Sequence, residues 1–189
     1  MEPQDDSREQ LERWNMEGRE CFEQGDLEGA LDRFSRALEL SALGRGDSLG
    51  RAGVLNNMGM VQVRLGRFQD ARASFRMAAV AYRETGDPVS AAWQMGNAGS
   101  ACRDMQAFEE ALKLYHEALA VFSGLGPAMG VADQSGNIGY IHAMQGDPHG
   151  ALAWFEKALE IYLQEGEERK ADMTRKNMET LRCAVGDRP

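Results

Sequence analysis

The stretch LNNMGMVQVRLGRFQDARASFRMAAVAY, residues 55–82, decides the fold because it recurs along the chain. Gly59, Gly99 and Gly139 occupy one slot, Ala71, Ala111 and Ala151 a second, Phe75, Tyr115 and Phe155 a third, and Ala78, Ala118 and Ala158 a fourth. Neighbouring copies lie 40 residues apart. An earlier copy fits with one residue of slippage at Gly18, Ala30, Phe34 and Ala37, and a last half-copy keeps Asn177 in the slot of Asn57, Asn97 and Asn137. A fixed period of this length is the mark of stacked supersecondary units, each too small to bury its apolar face alone.

Within each copy the apolar spacing is helical. Ala30, Leu31, Phe34, Ala37 and Leu38 follow i, i+1, i+4, i+7, i+8, one face of a helix, with Glu28, Asp32, Arg33, Arg36 and Glu39 opposite. The expected fold is all-α, a solenoid of antiparallel helix pairs with about nine helices. Its predicted helices run over about 7–24, a second after Asp26, then 48–65, 68–84, 88–105, 108–123, 127–145, 148–165 and 167–185. Ser7 with Gln10 reads as a capping box, Asp26 as an N-cap, and Gly86-Asp87-Pro88 and Gly146-Asp147-Pro148 each as stop, N-cap and first-turn proline. Gln106 stands where the other turns have glycine, and GRGD at 44–47 breaks a helix. Residues 1–6 read as a disordered N-terminus and 7–185 as a single solenoid. Its repeats fall at about 7–45, 47–86, 87–126 and 127–166, with a charged capping helix at 167–185.

The glycines repeated in register sit inside helices, where glycine costs about 1 kcal/mol against alanine. They point to close backbone contact with the paired helix at the alanine slots, with the aromatic slot filling space between copies. Methionines 58, 60, 77, 95, 105, 129 and 144 read as core filling.

Bulk properties narrow the function. The net charge of −9 argues against nucleic acid and against an anionic membrane surface. No apolar run approaches the ~20 residues of a membrane span, and MEPQDDSREQ lacks the basic start and apolar core of a secretory signal. Cys21, Cys102 and Cys183 are odd in number and far apart, which fits reduced thiols in a cytoplasmic protein and no metal. His116, His142 and His149 lack metal-ligand spacing. Without a P-loop, GxGxxG or GxSxG element, and with carboxylates spread over solvent faces, neither an enzyme nor a cofactor is expected.

The order of Trp14, Gly18, Ala30, Phe34 and Ala37, and of Leu55, Met58, Gly59, Ala71, Phe75 and Ala78, resembles the tetratricopeptide repeat pattern over about residues 10–185. Glu17 and Ser135 depart from it in apolar slots, and Cys21, Gln62, Cys102 and His142 in the usual tyrosine slot. The long period and the LNNMG and GNxG starts resemble the Pins-type spindle-orientation adaptors and the kinesin light chains. The resemblance implies a right-handed superhelix whose first helices line a concave groove for a partner's peptide. In those subfamilies asparagines in the slot of Asn57, Asn97, Asn137 and Asn177 hold ligand backbone, which the amide's donors and acceptor suit. The same register adds Arg19, Arg64, Trp93, Arg103, Asp104, Asp133, Tyr140 and Lys176 as groove candidates. Chaperone-tail binding is not expected, because Asn15 and Asn137 stand where that clamp needs Lys and Arg. The expected function is a non-catalytic protein–protein adaptor binding a peptide in the groove. The alternative is a self-assembling scaffold, a homo-oligomer joined through the solenoid ends or convex face.

Overall fold

A computed structural model describes residues 3–41 and 48–186, with side chains from residue 9 onward except Val185. Among the described residues there are nine helices and no strand. They are α1 (Pro3–Glu23), α2 (Leu27–Leu40), α3 (Ser48–Arg64), α4 (Phe68–Glu84), α5 (Pro88–Asp104), α6 (Phe108–Leu125), α7 (Ala128–Met144), α8 (Pro148–Gln164) and α9 (Glu168–Val185). The all-α repeat architecture expected from the period is present. The chain divides at Gln106/Ala107 into two compact units, α1–α5 and α6–α9.

In the first unit α1 packs on α2, α2 on α3, α3 on α4 and α4 on α5, and α1 also touches α3. In the second, α6 packs on α7, α7 on α8 and α8 on α9. Leu11, Ala30, Leu31, Phe34, Ala37, Val54 and Val61 form one buried cluster, so the first copy's core is completed by α3 of the next copy. Ala132, Ala158, Tyr162 and Ala171 do the same for α7, α8 and α9. Neither pair buries its apolar face by itself.

The turns explain the helix limits. At five of them an N–H bonds back five residues, at 2.8–2.9 Å: Asp26 to Cys21, Arg67 to Gln62, Asp87 to Tyr82, Asp147 to His142 and Glu167 to Tyr162. This closure needs the preceding residue in the left-handed region, and Gly25, Gly66, Gly86, Gly146 and Gly166 supply it. Gln106 takes the same place with φ +60°, the one non-glycine with positive φ among the described residues. Asp26, Asp87 and Asp147 each accept from the N–H three residues on, as their N-cap reading required.

Several readings are corrected. Helix α1 begins at Pro3, four residues before the expected start, so residues 3–6 are helical and Ser7 lies inside the helix. Proline is tolerated in a first turn because its missing N–H would have had no intrahelical acceptor there. Residues 1–2 and the GRGD stretch lie outside the described residues.

The helix-interior glycines meet aromatic rings of the same copy, not chiefly the alanine backbone. A Cβ on Gly18 would lie 2.5 Å from Phe34 Cε1, and one on Gly59 would lie 2.6 Å from Phe75 Cε1. At Gly139 the clearance is looser, with Phe155 Cδ1 at 3.0 Å and the Ala151 carbonyl oxygen at 3.2 Å. The aromatic slot therefore reaches across its own helix pair, and glycine makes room for the ring. Of the methionines read as core filling, Met60, Met77 and Met144 are exposed, whereas Met95 is buried.

Candidate functional site

The first helix of each copy carries a stripe at i, i+4, i+7, i+11, a spacing that keeps four side chains on one face. It holds Gly53, Asn57, Met60 and Arg64 on α3, and Trp93, Asn97, Ser100 and Asp104 on α5. On α7 it holds Asp133, Asn137, Tyr140 and Met144, and on α9 Met173, Asn177, Thr180 and Ala184. None of these residues is buried. The buried residues of α3 (Ala52, Val54, Leu55, Gly59, Val61, Gln62) all lie off the stripe, and the same holds for α5 and α7. Core packing thus leaves this face of each of these helices accessible.

The four asparagines share the slot but not the surroundings. Asn57 is half-buried. Its Nδ2 donates to Asn15 Oδ1 on α1 at 2.9 Å, and its own oxygen accepts from Asn56 Nδ2 at 3.3 Å. Asn97 Nδ2 lies 3.5 Å from Gln94 Oε1, one turn back, a long bond. Asn137 is half-buried and Asn177 exposed, and neither has a hydrogen-bond partner among the described residues. The first rung is therefore engaged between copies, and the later ones hold more of their hydrogen-bonding capacity open.

The remaining candidates separate in the same way. Arg64 is exposed, with its guanidinium 5.6 Å from the centre of the Phe22 ring. Arg103 pairs with Asp104 at 2.8 Å. Tyr140 is 45% exposed at the middle of the α7 stripe, with Met144 one turn on at 46%. Trp93 is half-buried, and Arg19 and Lys176 are exposed.

Asp133 is taken up by its own unit. Its Oδ1 accepts from the Tyr162 hydroxyl at 2.8 Å and from Lys170 Nζ at 2.7 Å, tying α7 to α8 and α9. Burial, followed by the hydrogen bond to this carboxylate, pushes the Tyr162 phenol far above its ordinary value of 10.0. The sequence had placed Asp133 on the groove face without this tie. The signal lay in Tyr162 itself, a buried tyrosine whose hydroxyl needs a partner.

Two departures from the repeat pattern have local solutions. Gln62, in the usual tyrosine slot, accepts from Ser74 Oγ at 2.7 Å, both side chains being buried. His142 lies 2.8 Å from Asp147 Oδ2 at the α7–α8 turn. The Asp147 carboxyl is held below its ordinary 3.8 first by the Gly150 N–H and then by His142. Among the described residues no group of three or more His, Cys, Asp or Glu is arranged to hold a metal ion. Among the described residues no helix is long and apolar enough to cross a membrane.

Comparison with known proteins agrees with this geometry. Residues 18–84 and 89–164 match the family model described as tetratricopeptide repeat. Among solved structures, the apo form of RapI aligns with a TM-score of 0.84 at 16% identity, covering 94% of this chain and 49% of that one. The chain thus spans about half the length of RapI. BtubC (BKLC) from P. vanneervenii aligns with a TM-score of 0.57 at 19% identity, covering 96% of this chain and 92% of that one. At these identities the likeness concerns the fold alone. No curated protein matches the sequence.

Proposed function

The chain belongs to the tetratricopeptide repeat family, and from that premise we propose that it is a non-catalytic protein–protein adaptor that binds a partner's peptide along the asparagine-bearing faces of its first helices. The observation that carries this reading is the stripe. An amide stands in the same slot of α3, α5, α7 and α9, on the face that core packing leaves accessible. A side-chain amide offers a donor and an acceptor to a peptide backbone whatever the peptide's sequence, and exposed neighbours such as Tyr140 and Met144 add apolar contact. The finer likeness to the Pins-type adaptors and kinesin light chains supports the same use of the amides. In that reading Trp93, Arg64, Arg103, Arg19 and Lys176 flank the bound segment, and the protein works in the cytoplasm.

The reading ranks the asparagines. Asn57 already donates to Asn15, so Asn97 and Asn137 should contribute more. A hydrogen bond is worth about 1 kcal/mol net, so Asn97→Ala with Asn137→Ala should weaken binding by about 2 kcal/mol, roughly 30-fold. The test compares recovery of a captured partner by wild type and by the double variant, with helicity checked by circular dichroism. Recovery should fall while helicity holds; equal recovery of a partner mapped to this protein would remove the amides as the binding device.

A further inference from the structure

Burial of polar side chains follows the repeat. Among the described residues six polar side chains are buried: Gln62, Ser74, Gln94, Gln134, Ser135 and Thr174. Gln62 and Ser74 bond to each other. Of the other four, Gln94, Gln134 and Thr174 share one slot, three residues before Asn97, Asn137 and Asn177. Residues three apart are neighbours on a helix surface, so each lies one turn from its asparagine, at the edge of the stripe. In the second copy the slot holds Val54, and there Asn57 is served from elsewhere: its Nδ2 donates to Asn15 Oδ1 on α1.

The pairing is made in α5 and open in α7. Asn97 Nδ2 lies 3.5 Å from Gln94 Oε1. Gln134 is only 2% exposed, and its Oε1 is buried with no hydrogen-bond partner. A buried carbonyl left unpaired is costly and needs a reason. The residues one turn away on α7 are Gly130, Val131, Asn137 and Ile138, and Asn137 alone of these has a polar side chain. Asn137 has no hydrogen-bond partner among the described residues either. On α9 the Thr174 hydroxyl donates to the Lys170 carbonyl at 2.8 Å, which leaves its oxygen able to accept. Every asparagine of the stripe therefore has a protein oxygen within reach of its nitrogen: Asn15, Gln94, Gln134 or Thr174.

We propose that Gln94, Gln134 and Thr174 are positioning residues for the stripe: each accepts from the Nδ2 of the asparagine one turn on, and so turns that asparagine's Oδ1 towards an N–H of the bound peptide. The proposal rests on the peptide-binding reading above and gives it a direction. An amide free to rotate offers a donor or an acceptor alike, whereas one whose nitrogen is held offers its oxygen. The stripe is then a row of acceptors, and the partner lays backbone N–H groups along it. On α7 the pair closes as the peptide arrives: Asn137 swings its nitrogen onto Gln134 Oε1 and its oxygen onto the peptide. The buried oxygen that is unpaired in the free protein is paired in the complex.

The test takes Gln134→Met and a control, Ser135→Ala, through the partner-capture assay and thermal unfolding of the full chain. Methionine has nearly the shape of glutamine without its polar atoms, so Tm should hold or rise while recovery of the captured partner falls about fivefold. Ser135→Ala removes the other buried unpartnered oxygen of α7, two residues from Asn137 and so off its face, and should leave recovery unchanged. Gln94→Met should shift the Asn97 side-chain amide signals in the heteronuclear NMR spectrum of the free protein, with no partner needed. In the captured segment, made synthetically, single ester-for-amide replacements remove one N–H each, and at least one should weaken binding about fivefold. Unmoved Asn97 signals, recovery lost with Ser135→Ala, or no ester-sensitive position would each overturn the proposal. A fall in both Tm and recovery with Gln134→Met would make Gln134 a packing residue and overturn it too. So would wild-type recovery by Gln134→Met where Asn97→Ala with Asn137→Ala lowers it, a result that leaves the stripe reading standing. Wild-type recovery by the double asparagine variant would remove the stripe reading itself, and this proposal with it.

Discussion

Changing Gly59 to alanine and, separately, Gly53 to alanine should move stability in different ways, although both glycines lie inside α3. Alanine is favoured over glycine in a helix interior by about 1 kcal/mol, and that gain is common to both changes. At Gly53 an added Cβ meets nothing within 4 Å. At Gly59 it would lie 2.6, 2.8 and 2.9 Å from Cε1, Cδ1 and Cζ of Phe75, a ring only 3% exposed. Carbon atoms sit comfortably at about 3.5–4.0 Å, so the ring must retreat by about 1 Å into a packed core. Overpacking of this kind costs about 1–3 kcal/mol. Gly53→Ala should therefore gain up to about 1 kcal/mol, and Gly59→Ala should range from near neutral to about 2 kcal/mol destabilised. Because the propensity gain cancels, the gap between the two variants isolates the steric cost. At about 2–4 °C per kcal/mol for a chain of this size, the gap is about 2–12 °C in Tm. Thermal unfolding followed by far-ultraviolet circular dichroism measures it. Phe75→Leu should cost less in the Gly59→Ala background than in wild type, since the clash leaves with the ring. Equal Tm values for the two alanine variants would refute the seating of Phe75 on Gly59.

Three further outcomes are expected. Gln106→Gly should stabilise the protein by up to about 1 kcal/mol in urea unfolding, because Gln106 holds φ +60° where a side chain is strained; a loss would show that the side chain repays that strain. Asp87→Ala should destabilise by about 1 kcal/mol near neutral pH through loss of the α5 cap. The Asp87 carboxyl is held below 3.8, first by the Ser90 hydroxyl, so its contribution is present above that pH and vanishes as pH falls through the folded-state value. The wild-type advantage measured by denaturation should shrink accordingly, and a constant gap would contradict the assignment. Tyr162→Phe should cost about 1–2 kcal/mol by removing the hydroxyl that donates to Asp133. In wild type the raised phenol keeps its stabilising effect below pH 10 and loses it as pH climbs from there towards the folded-state value. A spectrophotometric titration should therefore show this tyrosine ionising only as the protein unfolds.

The periodicity and the caps were readable because both are local. Asp26, Asp87 and Asp147 identify helix starts from three residues of sequence, and the helix limits from α3 onward fall within about two residues of those expected. What faces what was not readable. The register places Gly59 against the second helix, but only the packing decides that Phe75 reaches back over it and Ala71 does not. The stripe followed from helical spacing, whereas its pairings depended on contacts distant in sequence. Asn57 meets Asn15 forty-two residues away, and Asp133 meets Tyr162 and Lys170 on two other helices. The exposed Met77 went unread because methionine at helical spacing fits a core as well as a surface. Only the packing separates the two.

The amide-bearing stripe as the place where a partner is held can be tested by photocrosslinking. A photoreactive phenylalanine analogue replaces Tyr140 on the α7 stripe in one variant and Lys157 on the outer face of α8 in another, both exposed positions within one unit. With the captured partner present, irradiation should give a crosslinked product from position 140 that maps to a single segment of the partner, and none from position 157. Crosslinking from position 157 with none from 140 would contradict the account.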